Sequence, residues 1–178
     1  MTERRPPCFT GVSTYLDPLG RFSFRYPTDW HRFALEGREG VMFAPNPEDL
    51  QTAFTAWVTA LEHGVVAEDL ENLRHGVREG LAQLPDCQVE HESEVVLGNL
   101  IKFERVYAFR DGDATRKRKV WLVYADTWLI VLTWQGANPE AYDYWEAMAN
   151  YSFATFQLPQ ALLLATDREL LNQLRGNR

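Results

Sequence analysis

The stretch that decides the fold runs from Cys87 to Trp134 and reads CQVEHESEVVLGNLIKFERVYAFRDGDATRKRKVWLVYADTWLIVLTW. Apolar and polar residues alternate in four runs, which are separated by short turns at 98–99, 111–113 and 126–127. Alternation with a period of two is typical of strands that bury one face. Because short turns join strands in antiparallel order, this stretch predicts a four-stranded antiparallel meander.

The first strand of the meander, 87–97, carries an unusual number of acidic residues. A regular alternation gives it one half-buried face and one solvated face, and it predicts a hydrogen-bonded structural role for His91. One face holds Val89, His91, Ser93 and Val95, and the other, solvated face holds Glu90, Glu92 and Glu94. In the second strand, one face is lined by Ile101, Phe103, Tyr107 and Phe109.

An amphipathic helix precedes the meander. Leucine and valine recur at spacings of three and four from Val66 to Leu84, and Pro85 ends the pattern. Gly76 and Gly80 interrupt the pattern, and each glycine costs about 1 kcal/mol in helix propensity. We expect these glycines to let the helix approach a sheet closely. Further upstream, short alternating or apolar runs predict strands at 21–26, 31–33, 41–44 and 52–60.

The chain downstream of the meander reads as helical. Pro139 is suited to the first position of a helix whose apolar stripe includes Tyr142 and Met148. A capping box formed by Thr166 and Glu169 then predicts a last helix. The chain is thus divided into a flexible leader at 1–14, one α+β domain at 15–158 and a C-terminal helical extension at 159–178.

Composition excludes several classes of protein. The 178 residues carry 18 basic and 25 acidic side chains, a net charge of −7, which argues against nucleic acid as a partner. Two cysteines are too few for a secreted disulfide scaffold, and we expect both to be reduced. The longest apolar run, 128–134, is too short to span a membrane. With no targeting segment visible, the sequence predicts a cytoplasmic protein.

No motif points to catalysis. The four histidines do not pair at metal-ligand spacing, and no phosphate-binding or nucleophile-elbow motif occurs. We therefore expect no metal and no cofactor, and a protein that is more plausibly a binding module than an enzyme.

Two groups of residues are candidates for binding a partner. The basic run Arg116, Lys117, Arg118 and Lys119 could dock an acidic partner, or it could pair across the sheet with acids such as Glu104. In the C-terminal extension, the apolar candidates are Leu170, Leu171 and Leu174. These leucines must be buried against the domain itself, a second copy or another protein, because so short a helix is marginal alone.

The opening of the domain resembles that of the PsbP family. Tyr15-Leu16-Asp17 is followed by Gly20-Arg21-Phe22-Ser23-Phe24-Arg25-Tyr26-Pro27 and then by Trp30, and the order of predicted elements over residues 15–158 is similar too. The resemblance implies an antiparallel sheet flanked by helices, as in the superfamily that PsbP shares with Mog and DcrB-like proteins. It also implies a mostly non-enzymatic role in binding or organising partner proteins. Trp30 is expected to anchor the core.

The sequence therefore predicts a non-catalytic protein-binding, scaffold or assembly-factor module of PsbP-like fold, which binds another protein or itself. The alternative is a small-molecule-binding protein or an enzyme with a pocket between the sheet and the long helix. A deep apolar cavity with convergent polar groups would favour this alternative, and a flat exposed apolar groove would favour the scaffold.

Overall fold

The structure is a computed structural model, and it describes residues 6–166. The strands are β1 (Val12–Leu16), β2 (Ser23–Pro27), β3 (His31–Ala34), β4 (Glu39–Ala44), β5 (Ala53–Ala60), β6 (Gln88–Leu97), β7 (Leu100–Asp111), β8 (Ala114–Ala125) and β9 (Trp128–Gly136). The helices are α1 (Leu70–Ala82), which follows a 3-10 turn (Ala67–Asp69), α2 (Pro139–Ala154) and α3 (Gln160–Thr166).

Seven of these strands form one antiparallel sheet in the order β3-β4-β5-β9-β8-β7-β6. The predicted meander is confirmed as its β6-to-β9 half. The upstream strands continue the sheet because β5 pairs with β9. Strands β1 and β2 form a separate hairpin. The predicted α+β class, an antiparallel sheet flanked by helices, is therefore correct.

The two faces of the sheet are covered unequally. On one side, called here the α2 face, α2 and the β1–β2 hairpin bury the main core, which includes Phe43, Phe54, Leu132 and Trp134. On the other side, called the α1 face, α1 packs beside Phe103 and Tyr107 in two smaller clusters. No residue of α1 is buried, so this helix covers its part of the sheet only loosely.

The expectation for the glycines of α1 is wrong. A Cβ atom on Gly76 or Gly80 would meet nothing within 4 Å, so neither glycine permits a close approach to the sheet. The apolar stripe, which includes Leu73, Val77 and Leu81, makes the contact instead. Both glycines lie on the flank of the helix, beside a hollow in the sheet.

Strand β6 departs from the regular alternation that the sequence predicts. A bulge between Val89 and His91 shifts the register against β7. As a result Glu90 pairs with Lys117 at 3.2 Å, while Glu94 pairs with Arg105 at 3.1 Å on the α1 face. The acids do not share one face, since a single inserted residue reverses the side on which later side chains lie.

The motif that resembles PsbP builds the β1–β2 turn. The Asp17 carboxylate accepts hydrogen bonds from Nε and Nη2 of Arg21 at 2.8 and 2.9 Å, and both side chains are buried. Gly20 adopts a positive φ of 68° inside this turn, which a glycine tolerates best. The paired strand begins at Val12, within the stretch expected to be a leader, because pairing with β2 satisfies its backbone.

The end of the domain follows the predicted pattern. Pro139 begins α2, and the Asn138 side chain caps it by accepting a hydrogen bond from the Ala141 amide at 2.8 Å. Thr166 is the last residue described, so Glu169 and the leucines of the C-terminal extension lie outside the described residues. None of the helices in residues 6–166 has the length and apolar composition needed to cross a membrane.

Candidate partner-binding groove

A groove runs along the α1 face, over the uncovered part of the sheet and into the space between α1 and the sheet. One hollow of about 340 Å³ lies over β4, β5, β9 and β8, and a second of about 340 Å³ lies between α1 and β7–β8. The two adjoin, because Tyr107, Arg118 and Val120 line both. We call the combined feature the arginine groove, since it is lined by Arg38, Arg105 and Arg118.

Strand pairing sets the floor of the groove. Thr55 on β5 lies opposite Thr133 on β9, and their hydroxyls are hydrogen-bonded. Trp57 and Val131 occupy the next inward positions on the same strands. The floor is therefore a mixture of hydroxyl, aromatic and aliphatic groups, which suits a surface that remains in contact with water.

The three arginines differ in how their charge is balanced. Arg105 is only 2% exposed, and it donates to Glu94 at 3.1 Å and to the Ser93 carbonyl at 2.9 Å. Arg38 lies 4.8 Å from the centre of the Trp57 ring, and Arg118 donates to the neutral amide oxygen of Gln135. Within residues 6–166, neither Arg38 nor Arg118 has a carboxylate partner.

The titratable side chains in the described lining of the groove are three arginines and two tyrosines. Its described lining contains no carboxylate, imidazole or thiol. Burial raises the pKa of Tyr107, so this phenol stays protonated. General acid–base catalysis needs a group whose pKa lies near the working pH, and the groove supplies none from the described residues.

The predicted basic run does not form a single patch. Because side chains alternate along β8, Lys117 and Lys119 lie on the α2 face, and Arg118 lies in the arginine groove. Lys119 pairs with Glu104 at 3.3 Å, the cross-strand pairing that the sequence offered as an alternative. Arg116 pairs with Asp111 at 3.1 Å. Of this run, Arg118 is the residue that the structure places at the groove.

The other groove residues were missed by sequence reasoning. Arg38 stands alone in a turn, and Trp57 and Thr55 look like ordinary strand residues. They line the same hollow as Arg118 only because β5 pairs with β9 on the side opposite to β8, and β4 pairs with β5. No local spacing pattern could have found them.

Other candidate chemistry is dispersed. His91 is largely exposed, with Nε2 3.9 Å from Glu104, rather than facing inward as expected. Cys8 and Cys87 are both unpaired thiols. Among residues 6–166 no three metal-ligating side chains come together.

The fold is that of the PsbP and Mog proteins. The chain is similar to cyanobacterial PsbP from Synechocystis sp. PCC 6803, with a TM-score of 0.58 and 12% identity over 85% of this chain and 95% of that one. It is also similar to LpqN, which is involved in cell envelope biogenesis of Mycobacterium tuberculosis, with a TM-score of 0.57 and 15% identity over 84% and 91% of the two chains.

A third structure of this fold is the Ran-binding protein Mog1p of Saccharomyces cerevisiae, with a TM-score of 0.50 and 9% identity over 90% and 98% of the two chains. No protein-family model matches the sequence. No curated protein matches it either. The similarity to known proteins is thus one of fold, and this fold is the one that the Tyr15–Trp30 motif indicates.

Proposed function

We propose that the protein is a non-catalytic protein-binding module, a scaffold or assembly factor, whose partner presents carboxylates to the arginine groove. The observation that carries this proposal is the charge of the groove. Its described lining holds three arginines and no acid, in a chain of net charge −7. Arg105 is paired with Glu94, so the charge available to a partner is that of Arg38 and Arg118. Two such cations on an acidic protein attract an anionic partner and orient it.

The chemistry of the groove favours a protein over a substrate. Arg38 and Arg118 are fixed at stacked or hydrogen-bonded positions, where their forked donors can meet a carboxylate. The aromatic and aliphatic floor offers contact area between them. Mog1p is a Ran-binding protein, so a protein of this fold is known to take a protein partner.

A small-molecule ligand in the same groove is the alternative. Each hollow has a volume at the lower end of the range for ligand pockets. Both hollows are open to solvent, which fits an extended partner better than an enclosed ligand.

The test is capture of partners by the full-length tagged protein from an extract of its host, with matched charge variants. Arg38→Glu reverses one groove charge, and Arg78→Glu reverses an exposed charge on α1 that does not line the groove. A partner should bind the wild type and Arg78→Glu, should be lost with Arg38→Glu, and should dissociate as salt rises. Equal capture by all three proteins would contradict the proposal.

The C-terminal leucines are proposed as a second contact. Leu170, Leu171 and Leu174 would bind a second copy or another protein as one face of a helix. The full-length double variant Leu170→Ser/Leu174→Ser tests this through its molar mass in solution and its partner capture. If neither changes, the contact does not exist.

A cytoplasmic location belongs to the same proposal. It is supported by the two unpaired cysteines and is tested by fractionation of host cells.

A further inference from the structure

A second pocket lies on the α2 face, where the chain passes from α2 to α3. Its volume is about 520 Å³. The sheet side is formed by Val95, Leu100 and Trp121, and the other side by Phe156, Leu158 and Leu163. Among the described lining residues, the polar side chains are Gln157, Lys102 and the indole of Trp121. We call it the Lys102 pocket, and it is separate from the arginine groove on the other face.

Lys102 is the one cation of this pocket within the described residues. Its Nζ atom lies 3.8 Å from the centre of the Trp121 ring. The nearby acid Glu104 is already engaged, since it accepts from Trp121 Nε1 at 2.7 Å and pairs with Lys119 at 3.3 Å. Within residues 6–166, Lys102 has neither an ion pair nor a hydrogen bond of its own.

The environment of this ammonium is unfavourable for a charge. Lys102 stands between Val95 and Val123 on the neighbouring strands. Burial lowers the pKa of Lys102, because the surrounding apolar groups solvate the charged form poorly. An anion placed beside Nζ would offset this desolvation, whereas a neutral ligand would not.

We propose that the Lys102 pocket binds an amphipathic monoanion, a carboxylate on an unbranched alkyl chain, with the carboxylate paired to Lys102 and the chain lying between the sheet and α3. A single cation matches a single anionic head. The remaining walls are almost entirely apolar and match an alkyl tail. The pocket volume falls within the range of small-ligand sites, and the pocket is open to solvent, so a charged head group beside Lys102 can stay in contact with water.

The tail should contribute in proportion to its length. Each methylene moved from water to an apolar wall changes affinity about fourfold, which is ~0.8 kcal/mol. Decanoate is therefore expected to bind more tightly than octanoate, and octanoate more tightly than hexanoate. Decylamine has the same tail and the opposite charge, so it should bind poorly.

The experiment titrates the full-length protein with decanoate, octanoate, hexanoate and decylamine. Heat of binding is measured by calorimetry, and tryptophan fluorescence, to which Trp121 contributes as one of six tryptophans, is followed in parallel. Lys102→Met keeps the length of the side chain and removes its charge, while Lys117→Met removes a lysine on the same face outside the pocket. Decanoate should bind the wild type and Lys117→Met, and at least tenfold more weakly to Lys102→Met.

Four results would overturn the proposal. Equal affinity for decanoate and decylamine, or for the wild type and Lys102→Met, would mean that Lys102 does not select the head. Binding that appears only in Leu170→Ser/Leu174→Ser would mean that the chain's own C-terminal segment fills the pocket. Absence of binding to both the wild type and this double variant would mean that the pocket takes no such ligand.

Discussion

Trp30 stacks on Trp134, with ring centres 5.6 Å apart and planes inclined by 21°. Trp30 follows the turn after β2, and Trp134 lies near the end of β9, so the contact ties the start of the domain to the middle of the sheet. Both rings are buried in the main core. This contact would hold Trp30 in the core, which is the anchoring role that the sequence predicts for it.

Replacing Trp30 with alanine should lower the free energy of unfolding by about 3–5 kcal/mol, because it leaves a large cavity beside Trp134. Urea denaturation measures this loss. Trp30→Phe is the control and should cost less, since Trp30 Nε1 is buried without a hydrogen-bond partner among the described residues. A loss below about 1 kcal/mol for Trp30→Ala would argue against the anchor.

Arg21→Ala should also destabilise the protein by about 3–5 kcal/mol, since it leaves the buried Asp17 carboxylate without a cation and with only backbone amide donors. The matched control is Arg110→Ala, which removes an exposed ion pair with Asp86 and should cost less than about 1 kcal/mol. Thermal unfolding of both variants makes the comparison. Similar losses in the two would contradict a buried, structural role for the pair.

Gly80→Ala should stabilise the protein by about 0.5–1 kcal/mol, because alanine favours a helix and nothing obstructs its methyl group. Gly136→Ala should do the opposite. A Cβ at Gly136 would overlap the backbone of Asn138 and Tyr142 at the start of α2. Melting temperatures that move in the same direction for both variants would refute this contrast.

The stability conferred by Glu94 should depend on pH. Hydrogen bonds from Arg74 and then Arg105 hold the pKa of Glu94 below its ordinary value of 4.5. A carboxyl with a depressed folded-state pKa stabilises the fold above the unfolded pKa, and this stability is lost as pH falls through the folded value. Glu94→Gln should therefore be less stable than the wild type at pH 7, with a gap that closes below about pH 4.

Urea denaturation between pH 7 and pH 3 measures that gap. Glu92→Gln serves as the control, because Glu92 is largely exposed and its oxygen lies 3.5 Å from Arg105. The control should show a smaller gap. A gap for Glu94→Gln that stays constant down to pH 3 would exclude the ion pairs as its cause.

The order of strands in the meander and the amphipathic helix before it could be predicted because each rests on contacts close in sequence. Turns such as Gly112, with φ of 61°, and Asp126, with φ of 53°, are encoded by residues that tolerate positive φ. The helix period of 3.6 is likewise visible in the spacing of Val77 and Leu81. The resemblance of the Tyr15–Trp30 motif to the PsbP family indicated the fold.

The sequence by itself thus determined the fold class, the main elements and the buried role of Trp30. Tertiary structure alone decided the β6 bulge, the loose cover that α1 gives the sheet and the placement of Arg38 and Arg118 in one hollow. It also left Lys102 in an apolar pocket. The physical reason is that local periodicity records which side of an element is buried, whereas charge balance and uncovered surface depend on strands brought together from distant parts of the chain.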